Sequence, residues 1–431
     1  MPDTRIPFLF WTDAPDKGTG LARICRDLCY QMLGDEDVNR KFRIGTFGFY
    51  GKGSARLPWQ QYIANSVEEG TANLPQIWSD FCYETEAQGI LFTITPPTWI
   101  FSITCPEFAI KERPENEHKM WEWYINKPYK HWAYLAIESC TPGLTALKFS
   151  KPIIYMLSKL DRALYYSHWG AQIASNCLPD GHFQYLNHGI YTDNFKPSDL
   201  FTREMERKNL GLTKNDVLLG CVATNTQRKN LGLLIQSMAV IKAKVKDAKV
   251  KLWLHTDVAL REWDIEGLMS DYGLASPEDV LVTSTLAMRN DDWMARMYSN
   301  CDVFIMPTDG EGFGYPMVEA LSCGTPVVTG SFGAQSQFLD SFHPEWLCEP
   351  VNLAIHTTNN LIRPSYKVGY FTDKILECLI ARRGKPSLSS DCREWAAQWD
   401  WQTIWPSWHD WLLEKPTAEP QDIVADVKET T

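Results

Sequence analysis

Residues 304–328, which read FIMPTDGEGFGYPMVEALSCGTPVV, restrict the fold of this chain more than any other stretch. A short apolar run leads into a loop with three glycines, and a second apolar run closes the segment. Between them, Pro316 suits the first turn of a helix and Gly324 suits its end. The order predicts strand, loop, helix and strand, the repeating unit of an α/β fold with a parallel sheet.

The same segment has the features of a nucleotide site. Its glycines, Gly310, Gly312 and Gly314, are expected to take positive φ and to let the backbone approach a ligand closely. A helix that begins after such a loop presents free N–H groups and a positive dipole end to an anion. A phosphate bound there would leave Glu319, one turn inside the helix, free to accept hydrogen bonds from a sugar diol. Glu311 lies just before the helix.

The motif E-G-F-G-Y-P-x-x-E-A-x-x-C-G-T-P-V-V at 311–328 resembles the E-x7-E signature of retaining, two-domain (GT-B fold) glycosyltransferases of family 4. The resemblance implies two Rossmann-like domains facing across a cleft, with a C-terminal helix that returns to the first domain. It implies retaining, metal-independent transfer of a sugar from a UDP- or GDP-linked donor to an acceptor hydroxyl, without a cofactor. The donor contacts that it implies in this segment are Glu311, Gly312, Phe313, Gly314, Tyr315 and Glu319. Among them Glu311, which would hold the transferred sugar, is also implied to be catalytic. An ordinary Rossmann-like turn is the alternative interpretation.

The length of 431 residues also indicates two domains, because it exceeds what one typical core accommodates. Strand and helix patterns alternate over 1–197, the predicted acceptor domain, and over 198–390, the predicted donor domain. Residues 391–414 are rich in tryptophan and predict a helical return onto the first domain, interrupted at Pro406. The polar, acidic residues 415–431 are expected to be flexible.

The net charge of -11, from 42 basic and 53 acidic residues, argues against non-specific binding to nucleic acids or membrane surfaces. Nucleic acid is therefore expected only as an acceptor, for example through a hydroxymethylated nucleobase in DNA. The 12 cysteines form no C-x-x-C pair and are interpreted as reduced thiols. We find no signal-peptide pattern, and the most apolar stretch, 89–104, contains two prolines and is too short to span a bilayer. A cytoplasmic protein without stable membrane insertion is expected.

In the first domain, Gly18 and Gly20 follow an apolar run and precede a helical pattern. Arg23 occupies the place of the third glycine of G-x-G-x-x-G, which argues against dinucleotide binding. The resemblance instead implies that the backbone of Gly18 and Gly20 meets the donor diphosphate or the acceptor. A simple tight turn is the alternative interpretation.

Two further residues of the first domain are candidates for contacts with the donor or the acceptor. Glu138 follows the predicted strand 132–137 where relatives of this group carry a histidine that contacts the donor sugar. We predict that Glu138 binds sugar hydroxyls or orients the acceptor, with a solvent-facing strand end as the alternative. The segment 183–197 resembles the x-H-G-v-D-x-x-x-F-x-P segment that closes the first domain, although Tyr191 replaces the aspartate. His188 is thus a candidate ligand contact, or a packed hinge residue.

In the second domain, Arg228 and Lys229 follow the predicted strand 217–222 and resemble the basic pair of the family. A fixed cation there would neutralise a leaving diphosphate, so we predict catalytic roles for Lys229 first and Arg228 second. A solvated loop pair is the alternative. Thr224 occupies a place where the family often has another arginine. The loop around Leu286 is where the family usually holds the base.

Two other functions stay open. A sugar phosphorylase or epimerase could use the same scaffold, although we identify no separate acid/base set for an epimerase. A catalytically silent GT-B module that binds a nucleotide sugar or glycan is the second alternative. It rests on the departures at Glu138, Thr224 and Gln337, the last of which ends a segment, 333–337, that resembles one commonly ending in glutamate. The sequence leaves the nucleotide, the sugar and the acceptor undetermined.

Overall fold

The computed structural model describes residues 3–53, 56–83, 85, 87–144, 146–178, 184–258, 262–284, 289–356 and 360–414. Leu286 and the tail 415–431 lie outside these residues. Within them the chain forms two parallel sheets, each covered by helices, as the sequence predicts.

The first sheet has seven described strands in the order β3-β2-β1-β4-β5-β6-β7. Its central strand β1 is buried along nearly its whole length, which is the mark of a parallel strand covered on both faces. The strands are β1 (Ile6–Asp13), β2 (Phe42–Phe49), β3 (Gln60–Ala64), β4 (Ile90–Thr95), β5 (Lys130–Leu135), β6 (Arg162–Tyr165) and β7 (Gln184–Tyr185).

The second sheet has six described strands in the order β10-β9-β8-β11-β12-β13. Its central strands β8 and β11 pair in parallel, Val303 opposite Leu219. The strands are β8 (Val217–Val222), β9 (Val250–Thr256), β10 (Val280–Ser284), β11 (Val303–Met306), β12 (Val327–Gly330) and β13 (Leu347–Cys348). A separate antiparallel hairpin, which the sequence did not predict, consists of β14 (Asn352–Ile355) and β15 (Ile362–Ser365).

Sixteen α-helices connect and cover these strands in the described part of the chain. Around the first sheet they are α1 (Gly20–Gly34), α2 (Glu36–Lys41), α3 (Val67–Phe81), α4 (Phe101–Thr104), α5 (Pro106–Ala109), α6 (His118–Asn126), α7 (Lys151–Leu157) and α8 (His168–Ser175). The others are α9 (Leu200–Asn209), α10 (Leu231–Lys244), α11 (Ile265–Asp271), α12 (Asp291–Asn300), α13 (Tyr315–Ser322), α14 (Val368–Gly384), α15 (Leu388–Ala396) and α16 (Trp401–Leu412).

Helix α16 returns to the first domain, as the sequence predicts. The Trp411 ring lies 5.2 Å from that of Trp132 on β5, and the Trp408 indole donates to the carbonyl of Asn187 at 2.9 Å. The predicted interruption at Pro406 is wrong, because α16 continues through it. The break falls earlier, where Asp400 is extended and its side chain caps α16 by accepting from the Gln402 N–H.

Candidate active site

Several of the predicted site residues lie at or near the carboxyl ends of the central strands. The loop after β1 leads to Gly18 and Gly20, the loop after β8 to Arg228, and the loop after β11 to Glu311. In each sheet the strand order reverses at these strands, between β1 and β4 and between β8 and β11. Open α/β sheets bind ligands in the crevice at this reversal.

The loop before α13 is shaped by its glycines. Gly314 precedes the helix with φ 111°, a conformation that side chains other than glycine's rarely adopt, and Pro316 lies in the first turn. Gly324 follows the helix with φ 74°, as predicted. The prediction of positive φ holds for Gly310 and Gly314 but is wrong for Gly312. Gly312 is needed for space, because a Cβ there would lie 3.0 Å from the Cβ of Ala136 in the first domain.

Glu311 lies at the centre of a buried charge cluster. Its Oε1 is 2.6 Å from Lys229 Nζ and 3.0 Å from Arg228 Nη1. Burial alone would raise the pKa of Glu311, but the two cations lower it to about 2. Burial lowers the pKa of Lys229, and Glu311 opposes that shift. The predicted basic pair and the first predicted carboxylate are thus in direct contact.

Arg228 also joins the two domains. Its Nη2 lies 2.7 Å from Glu138 Oε1, and its Nη1 donates to the Gly310 carbonyl. Glu138 lies three residues beyond the end of β5, so the predicted strand 132–137 is shorter at this end than expected. The Glu138 side chain is about one third exposed. Glu138 therefore contacts a predicted catalytic residue while keeping one face toward solvent.

Glu319, one turn inside α13, is part of a second buried cluster. It accepts hydrogen bonds from Arg23 on α1 and, at 2.6 Å, from the hydroxyl of Tyr298 on α12. The Arg23 guanidinium lies 4.5 Å from the centre of the Tyr315 ring and 3.6 Å from Asp27. Glu319, expected to bind a ribose, is bonded to the opposite domain in this structure.

Aromatic rings fill the space between these elements. The His188 ring lies 4.0 Å from that of Phe313 and 4.7 Å from that of Tyr315. His188 is 1% exposed, and burial, followed by Arg23, holds its pKa well below the usual range. Tyr134 donates its proton to the Leu186 carbonyl at 2.6 Å, so His188 Nδ1 donates to the Tyr134 oxygen at 2.9 Å. His188 is therefore neutral and packed between the domains.

The glycine loop of the first domain comes close to the same rings. Gly20 opens α1, which Thr19 caps by accepting from the Ala22 N–H. A Cβ on Gly20 would lie 3.8 Å from the Tyr315 ring. Gly18 is exposed in the preceding loop.

Reasoning from the sequence missed several residues of this site. In the sequence Arg23 breaks a glycine pattern. A cation in the first turn of a helix also opposes the helix dipole, which indicates that its charge serves another contact. Gln335 accepts from the Glu311 N–H at 2.9 Å, and Asn230 donates to Asp309 at 3.0 Å. These contacts join residues far apart in the chain, and no local pattern marks them. The predicted contact at Leu286 lies outside the described residues.

Other expectations concern the chain as a whole. The 12 cysteines are free thiols, as predicted. No helix in the described ranges is both long and apolar enough to cross a bilayer.

The chain resembles known glycosyltransferases in sequence and structure. Residues 216–363 match the family model described as glycosyl transferases group 1. A GDP-mannose-dependent alpha-(1-6)-phosphatidylinositol monomannoside mannosyltransferase of Mycobacterium tuberculosis is 26% identical over 259 residues, which is 57% of this chain. This chain spans 60% of that relative's length. A D-inositol 3-phosphate glycosyltransferase of Geodermatophilus obscurus is 27% identical over 34% of this chain and 32% of its own.

Solved structures match over a larger part of the chain. Anabaena HepE in complex with UDP and glucose superimposes with a TM-score of 0.64 at 14% identity, covering 95% of this chain and 100% of HepE. Sucrose-phosphate synthase of Thermosynechococcus elongatus gives 0.65 at 14% identity, covering 95% of this chain and 99% of its own. At such identities the likeness concerns the fold. Residues 216–363 therefore match the group 1 glycosyltransferase family, and the chain as a whole has the GT-B fold.

Proposed function

We propose that this protein transfers a sugar from a nucleotide diphosphate sugar to an acceptor hydroxyl, with retention of configuration and without a metal ion. One observation carries the proposal. Two cations, Arg228 and Lys229, contact the buried Glu311 just before α13, and a second buried carboxylate, Glu319, lies one turn inside that helix. This mouth lies where the strand order of the family-matched domain reverses, the usual place for a nucleotide in such a sheet.

The cations would stabilise the leaving diphosphate. Charge develops on its oxygens as the glycosidic bond breaks, and fixed donors in a water-poor site stabilise that charge with little reorganisation. Arg228 and Lys229 are held by Glu311, and the first N–H groups of α13 add the positive end of the helix. A diphosphate bound here would share these cations with Glu311 without any need for a divalent cation.

The carboxylates would orient the sugars. Glu319 would accept hydrogen bonds from the ribose diol once Arg23 yields its place, and Glu311 would contact the transferred sugar. Glu138, partly exposed beside Arg228, would bind a sugar hydroxyl or the incoming acceptor. The backbone of Gly18 and Gly20 would border the same pocket, next to Tyr315.

The relatives suggest which donors to test. One is described as dependent on GDP-mannose, and the superimposed HepE structure contains UDP and glucose. A thermal-shift panel should therefore include GDP- and UDP-linked hexoses together with the free nucleotides. We expect one nucleotide class to raise the melting temperature of the wild type, since ligands that bind the folded state stabilise it.

Matched variants connect that shift to the site. The variants Lys229→Ala and Glu319→Gln should lose most of the rise in melting temperature that the nucleotide causes. Lys244→Ala and Glu377→Ala, exposed members of surface ion pairs on the same domain, should keep it. A wild type that no nucleotide stabilises, or site variants that respond like the wild type, would refute the assignment.

Turnover separates an enzyme from a silent binding module. An active transferase should release nucleoside diphosphate slowly from the donor alone, through hydrolysis, and faster when a suitable hydroxyl acceptor is added. Binding without release in the presence of a broad acceptor panel would favour the module.

A further inference from the structure

The hairpin of β14 and β15 connects the second domain to the candidate active site. It follows β13, yet Ile362 on β15 is buried in the core of the first domain. The Ile362 N–H donates to the Cys140 carbonyl at 2.8 Å, and the Ser139 hydroxyl donates to the Ile362 carbonyl at 2.7 Å. Ser139 directly follows Glu138, the partner of Arg228. The hairpin is thus fixed beside the charged end of the cleft.

The loops on both sides of this contact are close together. Gly310 lies so near the first domain that a Cβ on it would be 2.3 Å from the Glu138 carbonyl oxygen. Residues 138–140 therefore lie between the loop before α13 and the strand β15. A side chain that projects from β15 away from the first-domain core can reach this region.

Arg363 is the residue in that position. Side chains alternate along a strand, so Arg363 leaves the hairpin on the face opposite to the buried Ile362. Its Nη1 is buried and has no hydrogen-bond partner among the residues that the structure describes. Burial lowers the pKa of Arg363, and Arg228 lowers it further, while Asp309, Glu138 and Glu311 act in the opposite direction. The Arg363 charge is therefore coupled to the same groups that surround Glu311.

The charges of this region suggest an anionic ligand. Glu311 already contacts both Arg228 and Lys229, and Glu138 contacts Arg228. Asp309, the remaining carboxyl group here, has a pKa raised to about 7 by burial, so it carries only part of a negative charge near neutral pH. A buried guanidinium nitrogen without a partner is costly, and a ligand oxygen would remove that cost.

We propose that Arg363 binds the diphosphate of the donor, as a third cation supplied by the hairpin rather than by the loop after β8. This inference rests on the proposed function. The hairpin would also make the diphosphate site depend on the contact between the two domains. The same guanidinium chemistry would suit a carboxylate on the transferred sugar, and the experiment distinguishes the two anions.

The test measures binding of GMP, GDP, UMP and UDP to the full chain by calorimetry. In the wild type the diphosphate of the preferred base should bind more tightly than the monophosphate. Arg363→Gln should weaken diphosphate binding by about tenfold, leave monophosphate binding within about twofold, and flatten the salt dependence of diphosphate binding. Arg383→Gln, an exposed arginine bonded to the Asn215 carbonyl, is the matched control and should change none of these.

The possible binding results separate a failure of the Arg363 inference from a failure of the proposed function. Unchanged diphosphate affinity in a folded Arg363→Gln protein overturns the inference and leaves the proposed function intact. A wild type that binds no nucleotide refutes the proposed function itself. The Arg363→Gln protein could instead bind GDP or UDP as tightly as the wild type and lose only its binding to a nucleotide-linked uronic acid. That result would assign Arg363 to the sugar and overturn the diphosphate role.

A second variant covers the case in which Arg363→Gln does not fold. Ser139→Ala removes the hydroxyl that holds the hairpin against the first domain and leaves every charge in place. If Arg363 binds the diphosphate, looser placement of the hairpin should weaken GDP or UDP binding by about threefold without a change for the monophosphate. Equal losses for both nucleotides, or none, would overturn the inference.

Discussion

Glu311 and Glu319 belong to one loop and one helix and are equally buried, yet different parts of the molecule neutralise them. Glu311 is held by Arg228 and Lys229, which belong to its own domain. Glu319 is held by Arg23 of the opposite domain and by Tyr298. The charge of Glu311, at the phosphate end of the proposed site, is thus balanced within the second domain, although Arg228 also contacts Glu138 of the first domain. The ribose end depends on how the two domains meet.

This contrast predicts the largest effect for a change at Glu311. Glu311→Gln would leave Arg228 and Lys229 buried with one fewer counter-charge, at a cost of about 3–5 kcal/mol in the free energy of unfolding. Urea denaturation compared with Glu377→Gln, an exposed control, measures that cost. A loss below about 1 kcal/mol would mean that the cluster is more hydrated than its burial indicates.

A smaller effect is expected at Glu319. Glu319→Gln keeps an acceptor for Tyr298, and Arg23 keeps its contact with Asp27, so the expected cost is about 1–3 kcal/mol. A double-mutant cycle of Glu319→Gln with Arg23→Met should give a coupling energy, because the two side chains bond directly. Additive losses would show that this contact between the domains contributes nothing to stability.

The two ends of the site also differ in how far the sequence predicts them. The glycines, Pro316 and the two apolar runs determine their own local backbone, so the strand, loop and helix of residues 304–328 could be predicted in place. The contact between Glu311 and Lys229 follows from that fold, because both residues come after central strands of one sheet.

The contacts between the domains could not be predicted in the same way. The bonds of Glu319 to Arg23 and of Glu138 to Arg228 join residues of separate sheets, and no periodicity along the chain reports how these sheets face each other. The hairpin that carries Arg363 was missed for a similar reason, since its β15 strand is anchored by Ile362 in the core of the first domain. The sequence allows either a ligand role or a packing role for His188, and in the structure its ring packs against Phe313.

Asp309 and Glu311 offer a second comparison, through pH. They are two residues apart, but burial raises the pKa of Asp309 to about 7 whereas the two cations lower that of Glu311 to about 2. A raised carboxyl pKa means that the folded state holds the proton more tightly than the unfolded state. The contribution of Asp309 to the free energy of unfolding is therefore present at low pH, and it is lost as the pH rises from about 4 through about 7.

Asp309→Asn should abolish that loss. We expect the melting temperature of the wild type, relative to the variant, to fall by roughly 2–3 °C between pH 5 and pH 8. Glu311 stays ionised over this range, so it contributes no slope there. Parallel melting curves for the two proteins across the range would show that Asp309 is ionised throughout.

The smallest effect is expected at Tyr298, and it bears most directly on the two ends of the site. Tyr298→Phe removes one hydrogen bond to Glu319 and keeps the ring that packs against Phe304, at a cost of about 1 kcal/mol. Because Glu319 keeps both its charge and its place on α13, nucleoside binding should weaken by no more than about threefold. A loss as large as that of Glu319→Gln would mean that Tyr298, and not the contact with the opposite domain, fixes the orientation of Glu319. Glu319 would then be oriented within the second domain, as Glu311 is.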